Sequence, residues 1–159
     1  MPKVFLICGR ICSGKSVYAD ELRRENKAVI LSVDEITLAL FGQDAGSRLD
    51  HYVEKTKQYL YKKSLEIIEA GKDVVLDWGF WTRKEREFAR EFYSSREIEN
   101  VFCFIDISPE EWQRRIIKRN AEVLEKKSDS YYVDEGLAAK FEMTFELPDR
   151  REIDIWIKQ

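Results

Sequence analysis

The sequence predicts an α/β fold: a mainly parallel five-stranded sheet with helices on both faces. Three observations carry this expectation. Short apolar runs alternate with longer stretches of helical periodicity along the whole chain, the pattern of strand–helix–strand crossovers. One of these runs, Val4-Phe5-Leu6-Ile7, leads into Gly9-Arg10-Ile11-Cys12-Ser13-Gly14-Lys15-Ser16, which reads G-x-x-x-x-G-K-S and opens a helical stretch. The chain has 159 residues, 44% hydrophobic and 36% charged, with no internal repeat, linker or low-complexity segment. That suits one domain, 1–159, with a real core.

Each element has its own signal. Strand 1 covers about 3–8 and helix 1 about 14–25. The apolar run Ala28–Val33 is strand 2, ending at Asp34-Glu35, and a short helix over 36–41 stops at Gly42. After a polar loop over 43–49, a long helix runs from Asp50 to about Ala70, with Val53, Leu60 and Ile67 spaced by seven. Asp73–Asp77 is strand 3. Thr82-Arg83-Lys84-Glu85 has the form of a capping box and starts the fourth helix. Val101–Ile107 is strand 4. Ser108-Pro109-Glu110-Glu111 repeats the box with proline at the first helical position, and the fifth helix runs to about Lys127. A charged crossing over 125–130, a last helix over about 134–145 and a strand over 153–157 complete the chain.

The glycine-rich loop is a phosphate-binding pattern. Its glycines let the backbone turn tightly and aim N–H groups at one anion, and the helix N-terminus adds positive potential. Lys15 reaches for β- and γ-phosphates, and the Ser16 hydroxyl suits Mg²⁺. In an open parallel sheet, ligands bind beyond the carboxyl ends of the strands. Asp34 and Asp77, read at the ends of strands 2 and 3, therefore face the γ-phosphate region. Each can accept a proton from an attacking hydroxyl or hold Mg²⁺, directly or through water; the bland alternative is a capping hydrogen bond. Arg115 and Arg119 stand one turn apart on the fifth helix. They can neutralise a transferred phosphoryl or form a solvated arginine face. Arg83 and Arg86 follow strand 3, where they touch an acceptor or make an exposed basic stripe. The aromatics Phe41, Tyr52, Tyr59, Trp78, Phe80 and Trp81 crowd the same side, either as core or as an apolar wall for a ring-bearing small molecule; Trp78 and Trp81 are the ones assigned to the acceptor. His51, the only histidine, reads as solvated, and no His/Cys cluster suits a metal.

With these pieces in place the chain resembles the small P-loop kinases, the branch of chloramphenicol phosphotransferase, zeta-toxin kinases, gluconate kinase and the kinase module of polynucleotide kinases. The resemblance rests on Gly9 through Ser16, Leu31–Glu35, Val74–Asp77 and Arg115-x-x-x-Arg119-Asn120. It implies a sheet order 2-3-1-4-5, ATP and Mg²⁺ as cosubstrates, Asp34 as general base, and Arg115 and Arg119 on a lid over about 115–130 approaching the ATP phosphates.

The expected activity is transfer of the γ-phosphoryl of ATP to a hydroxyl of a small molecule of antibiotic, sugar or nucleoside type. A polynucleotide 5′-hydroxyl is the alternative acceptor, and an ATPase switch the alternative class. The net charge of -3 argues against nucleic acid and anionic membrane. Cys8, Cys12 and Cys103 read as reduced thiols; with no spanning segment or signal peptide, the expectation is a cytoplasmic monomer or homodimer. Cys12, at a helix N-terminus, is either a favoured thiolate or a small filler residue.

Overall fold

The computed structural model describes residues 1–159. Five strands form one all-parallel sheet: β1 (Lys3–Gly9), β2 (Val29–Ser32), β3 (Val74–Gly79), β4 (Glu99–Asp106) and β5 (Ile155–Lys158), in the order β2-β3-β1-β4-β5. Six helices connect them: α1 (Lys15–Asn26), α2 (Val33–Phe41), α3 (Leu49–Glu69), α4 (Arg83–Ser94), α5 (Pro109–Leu124) and α6 (Glu135–Thr144).

The period of two along β1 divides the core. Val4, Leu6 and Cys8 face one side with Val74, Leu76, Phe102 and Phe104, covered by Ala89 and Tyr93 of α4 and flanked by Tyr61 and Leu65 of α3. Phe5 and Ile7 face the other with Val75, Cys103 and Ile105, covered by Ala19 and Leu22 of α1. A third cluster joins the phosphate loop to α5 and α6 through Cys12, Trp112, Ile116 and Phe141. Cys12 is thus the filler residue of the two readings: burial pushes its thiol pKa up, although Arg119, Lys15 and Arg115 pull the other way.

Local chemistry sets the helix starts. Thr82 and Glu85 make both bonds of the capping box at α4. At α5 the Ser108 hydroxyl accepts from the Glu111 amide, while the Glu111 carboxylate turns to Arg114 and Arg115. Ser32 caps α2 by accepting from the Glu35 amide. This last cap corrects the sequence reading of strand 2. The strand stops at Ser32, and Val33 and Asp34 already belong to the first turn of α2. The strand–cap–helix sequence is compressed into consecutive residues, and an apolar Val33 in the helix extends the apparent strand run. Asp77 lies inside β3, which continues to Gly79, with Ser32 as its register partner on β2. No helix is long and apolar enough to cross a membrane.

Candidate active site

The carboxyl ends of β1, β2 and β3 open onto a cleft of about 760 Å³ lined by residues of the phosphate loop, α2, the end of β3, Arg119 of α5 and the loop after α5. Of the sequence-predicted residues, it brings together Ile11 through Ser16, Asp34, Asp77, Trp78, Trp81 and Arg119.

The loop is shaped for an anion. Cys12 (φ 57°) and Gly14 (φ 99°) both take left-handed backbone conformations, a cost that glycine relieves at the second position. Gly14 caps α1 with no side-chain acceptor, unlike the serine, threonine and aspartate caps of α2, α4, α5 and α6. The N–H groups of the first turn of α1 are left for a ligand. Ser13 is fully buried and its hydroxyl has no hydrogen-bond partner. Lys15 Nζ donates to the Arg10 carbonyl at 2.7 Å, so its ammonium is folded over the loop. Gly9 sits where a Cβ would meet Ser13 Oγ at 3.0 Å and the Ile105 carbonyl at 3.1 Å. Arg10 turns its guanidinium away from the cleft, over the rings of Trp112, Phe141 and Phe145.

The charged groups of the cleft feel each other. Burial pushes the Lys15 pKa down, and the nearby Asp77 and Asp34 carboxylates oppose that shift without outweighing it. Burial pushes the Asp34 pKa up; Lys15 opposes this, and Asp77 adds to it. Asp34 is open to solvent, but that solvent is the water of a concave cleft walled by protein, which hydrates a carboxylate less well than bulk. Asp77 is 8% exposed and accepts a hydrogen bond from Ser16 Oγ at 3.0 Å. These two hard oxygen donors fit Mg²⁺, which takes few protein ligands and completes its shell with phosphates and water. No larger group of His, Cys, Asp or Glu is assembled for a metal.

The two α5 arginines part company. Arg119 lines the cleft. Arg115 donates to Glu111 Oε1 at 2.8 Å, to the Ser13 carbonyl at 2.9 Å and to Gln159 Oε1 at 3.2 Å, and so braces the phosphate loop from outside. Beyond α5, Gln43 ties the loop down through both ends of its amide: Nε2 donates to the Ser130 carbonyl and Oε1 accepts from the Tyr132 amide. Tyr131 reaches Thr37 Oγ1 at 2.7 Å.

The acceptor-side aromatics also divide. Phe80 is fully buried in the core, and Trp78 and Trp81 line the cleft. Gly79 makes this possible. With φ 87°, it has Trp81 folded back so closely that a Cβ would stand 2.7 Å from Trp81 Nε1.

Arg83 and Arg86 need correction. Neither lines the cleft. Arg83 is exposed, pairs with Glu87 and lies outside. Arg86 is neither an acceptor contact nor part of an exposed stripe: it is 2% exposed, donates to Glu152 and to the carbonyls of Phe80, Trp81 and Glu146, and so ties α4 to the end of β3 and to the C-terminal segment. Arg86→Ala should destabilise the fold by about 3–5 kcal/mol, because it strands Glu152 and three carbonyls. Chemical denaturation checks this, and a loss under about 1 kcal/mol would contradict it. Burial raises the Glu152 pKa, but the bonds from Arg86 and the Asp149 amide outweigh it and hold the carboxyl below its ordinary range. The sign is that of a depressed acid: the contribution is complete above the unfolded glutamate pKa and is lost as pH falls through the lowered folded value.

A family model described as an AAA domain matches residues 4–148. No curated protein matches the sequence. Among solved structures, the fold is similar to that of an APS kinase from Mycobacterium tuberculosis in complex with AMPPNP and APS (TM-score 0.69, 17% identity, 99% of this chain and 88% of that one). It is also similar to a sugar kinase from Janibacter sp. HTCC2649 (TM-score 0.67, 16% identity, 99% and 86%). A third likeness is to a chain of the Pnkp1/Rnl/Hen1 RNA repair complex (TM-score 0.71, 20% identity, 90% and 43%). These identities establish a shared fold, the α/β fold of small P-loop kinases.

Proposed function

The chain belongs to the AAA domain family, and from that premise we propose that it is an ATP-dependent kinase, transferring the γ-phosphoryl of ATP to a hydroxyl of a small-molecule acceptor. One observation carries the reading. The phosphate loop, two carboxylates, a cleft-facing arginine and a tryptophan wall share one cleft of about 760 Å³, which has room for a second ligand beside a triphosphate.

In this reading the loop amides from Ile11 to Ser16 and Lys15 hold the β- and γ-phosphates. Ser16 and Asp77 would hold Mg²⁺, which supplies charge neutralisation between the phosphates. Asp34 takes the acceptor proton as the new O–P bond forms. Arg119 meets charge on the transferred group, and Arg115 keeps the loop in place as a positioning residue. The segment over 115–130 acts as a lid on the single domain; Gln43, just beyond α2, holds its end at Ser130, and the next residue, Tyr131, bonds Thr37 of α2. Trp78 and Trp81 hold the acceptor.

ADP release measured with Mg·ATP across a panel of hydroxylated small molecules tests the activity. Acceptor-dependent release is expected. Release stimulated only by a 5′-hydroxyl oligonucleotide, or steady hydrolysis without any acceptor, would replace this reading with a polynucleotide kinase or an ATPase switch. Arg119→Ala should lower turnover far more than ATP affinity, because its contact strengthens as charge develops on the phosphoryl group. Parallel kcat and nucleotide-binding measurements check this; equal losses, or none, would remove Arg119 from the chemistry.

A further inference from the structure

The charges of the cleft bear on what the acceptor can be. Its ionisable walls are Lys15 and Arg119 on one side of the balance and Asp34, Glu35, Asp77 and Asp129 on the other. A bound triphosphate takes both cations. The cleft itself, about 760 Å³ at the mouth of the phosphate loop, marks the place of the ligand. The arginines that follow β3 do not redress the balance, since Arg83 is paired with Glu87 and Arg86 with Glu152. Once ATP is seated, an acceptor entering beside it meets carboxylates, phosphate oxygens and the indoles of Trp78 and Trp81.

Glu35 and Asp129 line the cleft from different elements. Glu35 is in the first turn of α2, and Asp129 is in the loop after α5 that Gln43 holds against α2. Both are exposed cleft residues and neither is engaged in an ion pair, so their charge is open to a ligand. With Mg²⁺ shared between Asp77 and the phosphates, an anionic acceptor would still approach Asp34, Glu35 and Asp129 with no free side-chain cation to neutralise it. A protonated amine would find two carboxylates, and its ring would lie on an indole face, where aromatic and cationic groups attract.

Resting on the kinase reading above, we propose that the acceptor half of the cleft takes hydroxylated ring compounds bearing a protonated amine and rejects anionic ones, with Glu35 and Asp129 as the residues that set this preference. Neither residue has a part in the phosphoryl transfer proposed above, so charge selection is tested by binding apart from turnover.

Glucosamine, glucose and glucuronate present one ring with an ammonium, a hydroxyl or a carboxylate, and serve as probes. Each is titrated calorimetrically into the full chain with Mg·AMPPNP bound. Glucosamine should bind roughly tenfold more tightly than glucose, a difference of about 1.4 kcal/mol, with glucuronate weakest. Added salt should compress the order. Glu35→Gln combined with Asp129→Asn should level it, and Glu35→Lys should favour glucuronate. Glucuronate binding as well as glucose in the unaltered protein, no glucosamine binding, or an order unmoved by both variants would overturn the proposal. ADP release in the same samples separates the two readings: the expected binding order without acceptor-stimulated ADP supports the charge selection and removes the kinase activity.

Discussion

Lys15→Ala should abolish measurable turnover and weaken ATP binding together. The cleft holds only two cationic side chains, and Lys15 is the one carried by the phosphate loop. Burial lowers its pKa, and the neighbouring Asp77 and Asp34 oppose that shift. Removing it leaves Arg119 alone against Asp34, Glu35, Asp77 and Asp129, so a triphosphate would enter a cleft that repels it. Loss of one pre-placed donor to developing charge typically costs about 10²–10³-fold in kcat; here a ground-state binding loss adds to that. The variant should still fold, since the bond given up in the free protein is a single one to the Arg10 carbonyl. Calorimetric ATP titration beside an ADP-release assay, with a thermal melt as control, measures all three. Unchanged affinity and turnover in a folded variant would remove the loop from phosphate binding.

What the sequence made legible was local. The phosphate loop, the box at Thr82, the helix start at Ser108 and the alternation of strands and helices are all written in short windows, and the structure has them in those places, although at Ser108 only the serine half of the expected box forms. The reading failed where a partner lies far along the chain. Arg86 looked like one member of a basic stripe because Glu152 is sixty-six residues away, and nothing near Arg86 announces a buried ion pair. Arg115 and Arg119, one turn apart, looked equivalent. They diverge because Glu111, one turn before, captures Arg115 and aims it at the Ser13 carbonyl, while Arg119 has no such neighbour. Gln43 lay in a stretch that reads only as a polar loop, and its two-ended bond to the loop after α5 depends on a contact that no periodicity encodes. Glu35 was seen only as the residue after Asp34, since a carboxylate has no cleft-facing direction until the helix start is fixed. Moving that start to Val33 placed both Asp34 and Glu35 in the first turn of α2, at the mouth of the cleft.

Asp34→Asn should lower acceptor phosphorylation by about 10²–10⁴-fold while ATP·Mg²⁺ binding stays near normal. A hydroxyl is a poor nucleophile, and a positioned base removes its proton as the bond to phosphorus forms. Asn keeps the shape and loses the proton acceptor. Position separates Asp34 from its rival. Asp77 accepts from Ser16, the loop hydroxyl suited to Mg²⁺, and is nearly closed to solvent, whereas Asp34 stands on α2, exposed to the water of the cleft, where an acceptor would enter in the proposed reaction. The pH dependence gives a second readout. The base works only when ionised, and burial together with Asp77 raises its pKa while Lys15 and Arg119 lower it, with a net upward shift. The acid limb of kcat/KM should therefore lie above the ordinary aspartate range and vanish from the residual activity of the Asn variant. Asp77→Asn, by contrast, should weaken Mg²⁺ dependence and leave that limb in place. If Asp77→Asn removes phosphorylation with ATP·Mg²⁺ binding intact, and Asp34→Asn leaves both the rate and the acid limb untouched, the two carboxylates have exchanged roles.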